Sequence, residues 1–516
     1  MFMGGGSNRK PGPSTELLNE RLHLFMRHIA QLAITFLLAC TWISTASAST
    51  IEERETDFDL FVAERADANN VAGTAIAIIQ ANRITHTASF GIESTLTEIP
   101  IDSATVFQAA SISKAVTAWG IMRLVQEGRL DLDAPVSTYL TRWQLPPSSF
   151  RDDDVTLRRV LSHTAGLSLP SYVGFDPAAE LPSFESSLSG ATNGSGALAL
   201  VAQPGEQFSY SGGGYTLLGL IIEEVSGQPF ADYMAANILL PLGMESSSYL
   251  PDEEMLARIA QAHDFHRHTI PNYRLAAQGA GSLHTSAEDL GKFAIANMSD
   301  NPVLTRETLR EMHTPIINTG LGNQMGLGFF IEEEGQLVGH RGSNRGWKAR
   351  VQFSPTSGDG LVVLTNSESG EALIDETFCY WNKSYQIGLL SAACTDQQDQ
   401  RRLLTTLGWL TTVFLASIIL ALAMRFLSGL LVGNRTFTTP TLKDWQSWVL
   451  IFLLGLSVAQ GLFLYTGYGV WLIAGIPWGF SVANHAPQSV QYAFKALFGL
   501  YVALAASMLA RRKRDQ

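Results

Sequence analysis

The 516 residues are about three times the ~150 of a typical domain, so more than one core is expected. Apolar residues make up 46% of the chain and charged residues only 16%, which excludes a disordered polymer. Charge is uneven: residues 1–48 carry four basic and two acidic side chains, residues 401–516 carry ten and two, and the middle carries 21 and 43, a net of −22 that repels phosphate backbones and sets nucleic acid aside as a partner.

In chain order, an apolar run at 29–42 (IAQLAITFLLACTW) stands behind Arg21, Arg27 and His28. Ala46-Ser47-Ala48 follows with small residues where a signal peptidase cuts, so 1–48 reads as a secretory signal. The run is short for a bilayer span; an uncleaved anchor, a start at Met26 and lipidation of Cys40 in Leu37-Leu38-Ala39-Cys40 stay open. An exported segment, 49–396, comes next. Its pattern predicts a helix at 51–68 and a hairpin of 71–80 and 83–90 around Ala81-Asn82. Helices are predicted at 112–127, 155–162, 215–225, 230–238 and 286–298, with a surface loop at 183–198. Strands return at 328–332, 347–354 and 361–365. Strands thus bracket a helical middle, as in an α+β fold with one sheet built from both ends of the segment.

With the signal removed, Cys379 and Cys394 are the two cysteines left, in a compartment that permits disulfides. Either they bond, closing a short loop worth roughly 3 kcal/mol, or they are two separate buried thiols. Residues 397–516 hold three apolar stretches near the length of a membrane span, at about 403–424, 448–472 and 491–510. Arg425, Arg435 and Lys443 lie between the first two, no Lys or Arg lies between the second and third, and Arg511-Arg512-Lys513-Arg514 ends the chain. The positive-inside rule then gives a multi-pass membrane protein with 49 to about 400 on the extracytoplasmic (periplasmic or extracellular) side. Almost no charge lies within the spans, so they read as an anchor in the lipid bilayer.

Ser111-Ile112-Ser113-Lys114 has the Ser-x-x-Lys spacing, which on a helix sets hydroxyl and amine one turn apart on one face. A serine in the first turn lies in the positive end of the helix dipole, and a buried lysine loses proton affinity and gains strength as a base. The four-residue pattern is weak alone, since Ser7 and Lys10 match it too. The three histidines of HDFHRH, His263, His266 and His268, lack a second ligand cluster and read as a surface loop, so no metal is expected. No Gly-x-Ser-x-Gly elbow occurs.

The surroundings of Ser111 are more specific. Residues 107–140 (FQAASISKAVTAWGIMRLVQEGRLDLDAPVSTYL) and 155–167 (VTLRRVLSHTAGL) closely resemble the active-site region of serine beta-lactamases and penicillin-binding proteins, above all the class C-like branch that includes exported esterases and D-stereospecific peptidases. The resemblance continues in 204–215 (PGEQFSYSGGGY), 241–244 (PLGM), 279–290 (GAGSLHTSAEDL) and 339–347 (GHRGSNRGW), and spans about 70–370. It implies a beta-lactamase-like α+β fold, with an antiparallel sheet flanked by helices and a helical subdomain, here followed by the three-helix membrane segment. It also implies that Ser111 is the nucleophile, Lys114 its neighbour, Tyr210 the second base, and the backbone N–H groups of Ser111 and Ser343 the oxyanion hole. Gly212, His340 and Gly342 fall at substrate-binding positions. Two departures stand out: the family's Tyr-x-Asn reads Tyr210-Ser211-Gly212, and the Lys-Thr-Gly of beta-lactamases reads His340-Arg341-Gly342, a form seen in esterase and peptidase relatives. His163, in Ser162-His163-Thr164-Ala165-Gly166, falls in what resembles the family's structural turn.

The expected activity is a membrane-tethered, exported serine hydrolase working through an acyl-enzyme on esters, small amides or peptides, with no cofactor. A true beta-lactamase, and a catalytically silent protein that binds or senses cell-wall fragments, are the alternatives. Substrate identity and oligomeric state stay open.

Overall fold

The computed structural model describes residues 51–385 apart from 333 and 334, together with 387, 391–431, 435–437, 488–512 and the single positions 449, 452 and 455. The proposed signal, Cys40 and most of the 448–472 stretch therefore lie outside the described residues. The chain divides into two units, 1–57 and 58–516, at a point inside the first helix, α1 (Ile51–Ala68).

The centre of the second unit is an eight-stranded sheet. The strands are β1 (Gly73–Gln80), β2 (Arg83–Gly91), β3 (Ile317–Asn318), β4 (Gln324–Met325), β5 (Phe330–Glu332), β6 (Leu337–Asn344), β7 (Trp347–Phe353) and β8 (Gly360–Thr365). Their order is β2-β1-β8-β7-β6-β5-β4-β3, and every neighbouring pair is antiparallel. The sheet is indeed built from both ends of the segment, because β1 pairs with β8 in the register Thr74 with Thr365 to Ile79 with Gly360. β3 and β4, two residues each, were not legible as strands.

β1 is buried on both faces, and its period of two splits its side chains between two cores. Ala75, Ala77 and Ile79 face the larger core, together with Val362 and Leu364 of β8. Ile76 and Ile78 face a smaller one, with Leu361 and Val363. That smaller core is roofed by Phe58 and Val62 of α1 and by Leu373, Ile374, Phe378 and Trp381 of α5 (Gly370–Ser384). Arg65 binds Glu376 through two hydrogen bonds, 2.6 and 2.9 Å, and so ties the two covering helices.

The larger core holds the helical middle: α2 (Ile112–Gln126), α3 (Gly212–Ser226) and α4 (Ala287–Met298). Twelve of the fifteen residues of α2 are buried, Ser113, Lys114 and Thr117 among them, so the helix lies inside the core rather than on its surface. The expected loop at 183–198 contains a short helix, Phe184–Leu188. Its Phe184 is buried and takes the space beside Gly219, where a Cβ would come within 2.8 Å of the ring.

The last elements are two long helices, α6 (Ser391–Leu431) and α7 (Gln488–Leu509). Cys379 of α5 and Cys394 of α6 are bonded, with Cα atoms 5.5 Å apart. Among the described residues one stretch, Thr406–Met424 in α6, is long and apolar enough to cross a membrane, not the three expected. The third expected span coincides with α7, which packs along α6, with the rings of Trp409 and Tyr492 5.7 Å apart.

Candidate active site

Four segments converge where α2 begins. The first is the turn before it. Ala110 has φ +49°, a left-handed conformation that costs a non-glycine residue energy, and it swings Ser111 onto the end of α2. Ser113 Oγ braces the turn by donating to the Ala110 carbonyl (2.6 Å) and accepting from the Leu283 N–H (2.9 Å).

One helical turn on, Lys114 is 2% exposed. Its ammonium donates to Ser111 Oγ at 3.2 Å and to the Ala280 carbonyl at 2.7 Å, both uncharged acceptors. Burial lowers its pKa to about 7, because the charged form loses its hydration. Near neutral pH a substantial fraction of Lys114 is therefore a free amine within reach of the serine hydroxyl.

Tyr210 comes from the segment leading into α3. Its ring centroid lies 5.0 Å from Lys114 Nζ. Burial pushes its hydroxyl well above the ordinary tyrosine range, while a hydrogen bond with Ser111 pulls the other way. Phe330 of β5 stacks parallel to it at 6.4 Å. Gly212 explains the missing asparagine: a Cβ there would lie 3.2 Å from the Pro170 carbonyl, 3.3 Å from that of Leu169 and 3.3 Å from the Tyr172 ring. The loop fills the space, and the Ala280 carbonyl gives Lys114 a polar contact of its own.

The fourth segment is β6. Gly342 passes so close to the turn before Ser111 that a Cβ would sit 2.1 Å from the Ala109 carbonyl, so no other residue fits. Beyond Gly339, β5 no longer pairs with β6, which leaves the 340–344 edge open. Asn344 and Trp347 close a two-residue turn onto β7, so the Ser343 N–H, one residue back, alternates to that open edge. His340 is 3% exposed and lies 6.4 Å from the Tyr210 ring and 5.1 Å from Phe330. Its Nδ1 is 2.6 Å from the Arg341 carbonyl and must carry the proton that bonds it. Burial, reinforced by the nearby Lys114 charge, drops its pKa to about 3, so the ring is neutral. Arg341 turns to the other face of the sheet, where it binds Glu371 (2.7 Å) and Asp375 (2.8 Å).

Ser111, Lys114, Tyr210 and His340 thus lie together, with Gly342 against the turn before Ser111 and the open β6 edge that carries Ser343 beside it, whereas Gly212 packs against the 169–172 loop. His163, read from the sequence as part of a structural turn, lies beside them: its ring is 4.3 Å from that of Tyr210. Nothing in the local sequence signals this. The three-histidine stretch is corrected as well. His263 is buried, accepting from the Thr95 N–H (3.2 Å) and bonding the Asn366 carbonyl (3.0 Å), so it is a structural tie rather than part of a surface loop.

A family model described as beta-lactamase matches residues 58–378, well over half of the chain. The chain belongs to the beta-lactamase family. This beta-lactamase-family chain is 24% identical over 464 residues to protein flp of Staphylococcus aureus, covering 88% of this chain and 90% of that one. It is 28% identical over 319 residues to penicillin-binding protein 4* of Bacillus subtilis, covering 57% and 68%. Among solved structures it resembles the octameric penicillin-binding protein homologue of Pyrococcus abyssi (28% identity, TM-score 0.56, covering 64% and 77%). The beta-lactamase/D-alanine carboxypeptidase of Pseudomonas syringae (20% identity, TM-score 0.55, covering 64% and 98%) shares the fold. The match to flp extends over more of this chain than the 58–378 of the family model.

Proposed function

We propose that this chain is an exported, membrane-tethered serine hydrolase that cleaves esters, small amides or peptides through an acyl-enzyme on Ser111. The contact between Ser111 Oγ and the buried Lys114, whose pKa lies near 7, carries the reading. Free Lys114 takes the Ser111 proton, directly or through Tyr210, as the oxygen attacks the substrate carbonyl. The N–H groups of Ser111 and Ser343 hold the resulting oxyanion, each such donor typically contributing ~10²- to 10³-fold. Collapse breaks the bond to the leaving group, which receives the proton, and water then releases the acyl group by the same steps.

The neutral His340 supports the substrate class. A lysine there carries a charge that attracts a β-lactam carboxylate, whereas His340 carries none and Arg341 is committed to the opposite face. The expected result with full-length protein is a kcat/KM for short-chain esters or small amides at least ~10-fold above that for a chromogenic cephalosporin, about 1.4 kcal/mol in transition-state binding. His340→Lys narrows the gap. A preference for the cephalosporin makes the protein a true beta-lactamase, and no turnover or acylation of any of these substrates makes it a binding protein.

The membrane placement rests on the signal-like 1–48, the basic residues around the apolar stretches and the Thr406–Met424 helix. Protease added to cells with any outer envelope opened should digest 49–396 and spare a tag placed after Gln516. Protection of the catalytic segment reverses the topology.

A further inference from the structure

His163 has three features that a simple turn does not need. It holds φ +55°, a left-handed conformation uncommon for a residue other than glycine. It is bonded to both neighbours of Tyr210: its carbonyl accepts from the Ser209 N–H at 2.7 Å, and its Nδ1 accepts from the Ser211 N–H at 3.0 Å. Its ring lies against Tyr210 at 4.3 Å and 35°, with Tyr215 at 5.1 Å and Phe208 edge-on at 5.9 Å.

Because Nδ1 accepts, Nε2 must carry the proton, and this N–H is buried without a hydrogen-bond partner among the described residues. Strain and an orphaned donor persist at one residue when the surroundings hold it there for a purpose. Burial, and then the Lys114 charge, keep the ring neutral, so it does not compete with Lys114 for the serine proton.

We propose that His163 is a positioning residue: it clamps the backbone on both sides of Tyr210 and backs the Tyr210 ring, so that the hydroxyl meets Ser111. The proposal rests on the reading of Tyr210 as the second base. It assigns to the Ser-His-Thr-Ala-Gly stretch a part in the reaction beyond turning the chain.

The test is a double-mutant cycle of His163→Asn with Tyr210→Phe in the full-length protein, with a short-chain ester as substrate. Asparagine suits the left-handed backbone and keeps an acceptor for Ser211, but it removes the ring. Alone, His163→Asn is expected to lower kcat at least ~10-fold with KM within ~2-fold and little change in Tm. In the Tyr210→Phe background the same change should alter kcat less than ~2-fold, because the residue it positions is already disabled. Losses that multiply across the two sites, or unaltered kcat in His163→Asn, overturn the proposal. A Tyr210→Phe protein that keeps most of its activity overturns the underlying reading of Tyr210 instead. Should His163→Asn fail to fold, His163→Gln goes through the same cycle with the same outcomes decisive.

Discussion

Two lysines are buried close to the cleft, and their surroundings differ in one respect. Lys114, on α2, donates to a hydroxyl and a carbonyl. Lys348, on β7 opposite Ser343, is 4% exposed and meets the Glu368 carboxylate at 2.5 Å; the other oxygen of that carboxylate accepts from the Gly346 N–H. A buried amine with a carboxylate is a structural ion pair. A buried amine with neutral acceptors alone gives up proton affinity, because nothing compensates its lost hydration. By supplying or withholding one acid, the fold leaves the same side chain as an ion-paired brace at one position and, on the proposed reading, as a base at the other.

The largest expected effect breaks the base. Ser111→Ala should reduce kcat by up to ~10⁶-fold on any substrate found, and Lys114→Ala nearly as much, without the two losses adding in the double variant. Steady-state kinetics check this, and a Ser111→Ala protein with most of its activity places the chemistry elsewhere. The next pair of variants separates the two lysines. Lys114→Met should abolish turnover while Tm stays level or rises, since an apolar chain replaces a desolvated amine. Glu368→Gln should leave turnover within a few-fold but cost about 3 kcal/mol, read as a Tm lower by several degrees, because Lys348 is left buried without its counter-charge.

The smaller effects are in pH. In the proposed mechanism Lys114 acts as the free amine, which predicts that kcat/KM rises with pH through an apparent pKa of about 7. The desolvation that frees this amine also holds His340 and His313 to about 3, His284 to about 4 and His163 well below its ordinary value. All four take protons in the unfolded chain near pH 6.5 but not in the folded one until far lower, so the unfolded state binds more protons in between. Stability should then be intact above pH 6.5 and fall progressively toward pH 3 to 4, as a series of Tm values would show.

The sequence is most informative where a side chain carries the chemistry. Ser111, Lys114, Tyr210 and His340 belong to motifs that can be read in order, and the brackets of strands around helices imply the one antiparallel sheet built from both ends. It is silent where the backbone acts. The Ala280 carbonyl that completes the Lys114 site has no side-chain signature, and β3 and β4, at two residues each, are too short for alternation to register. His163 sits in a turn, as its motif implies, whereas its approach to Tyr210, 47 positions later, is made only by packing. His263 reads as part of a surface loop because Asp264, His266 and His268 follow it, yet it is fully buried, held by contacts to Thr95 and Asn366 that are remote in sequence.

Gly212 has a consequence for how this site can change over generations. The position where relatives carry an asparagine is hemmed in by the Leu169 and Pro170 carbonyls and the Tyr172 ring, and Tyr172 is itself held by its hydroxyl contact to Thr216 at 2.6 Å. An asparagine at 212 needs these neighbours to give by a few tenths of an ångström, so the residue and the 169–172 loop are coupled. Regaining the amide is therefore expected to succeed best when the loop changes with it, as when a relative's loop and asparagine are grafted together.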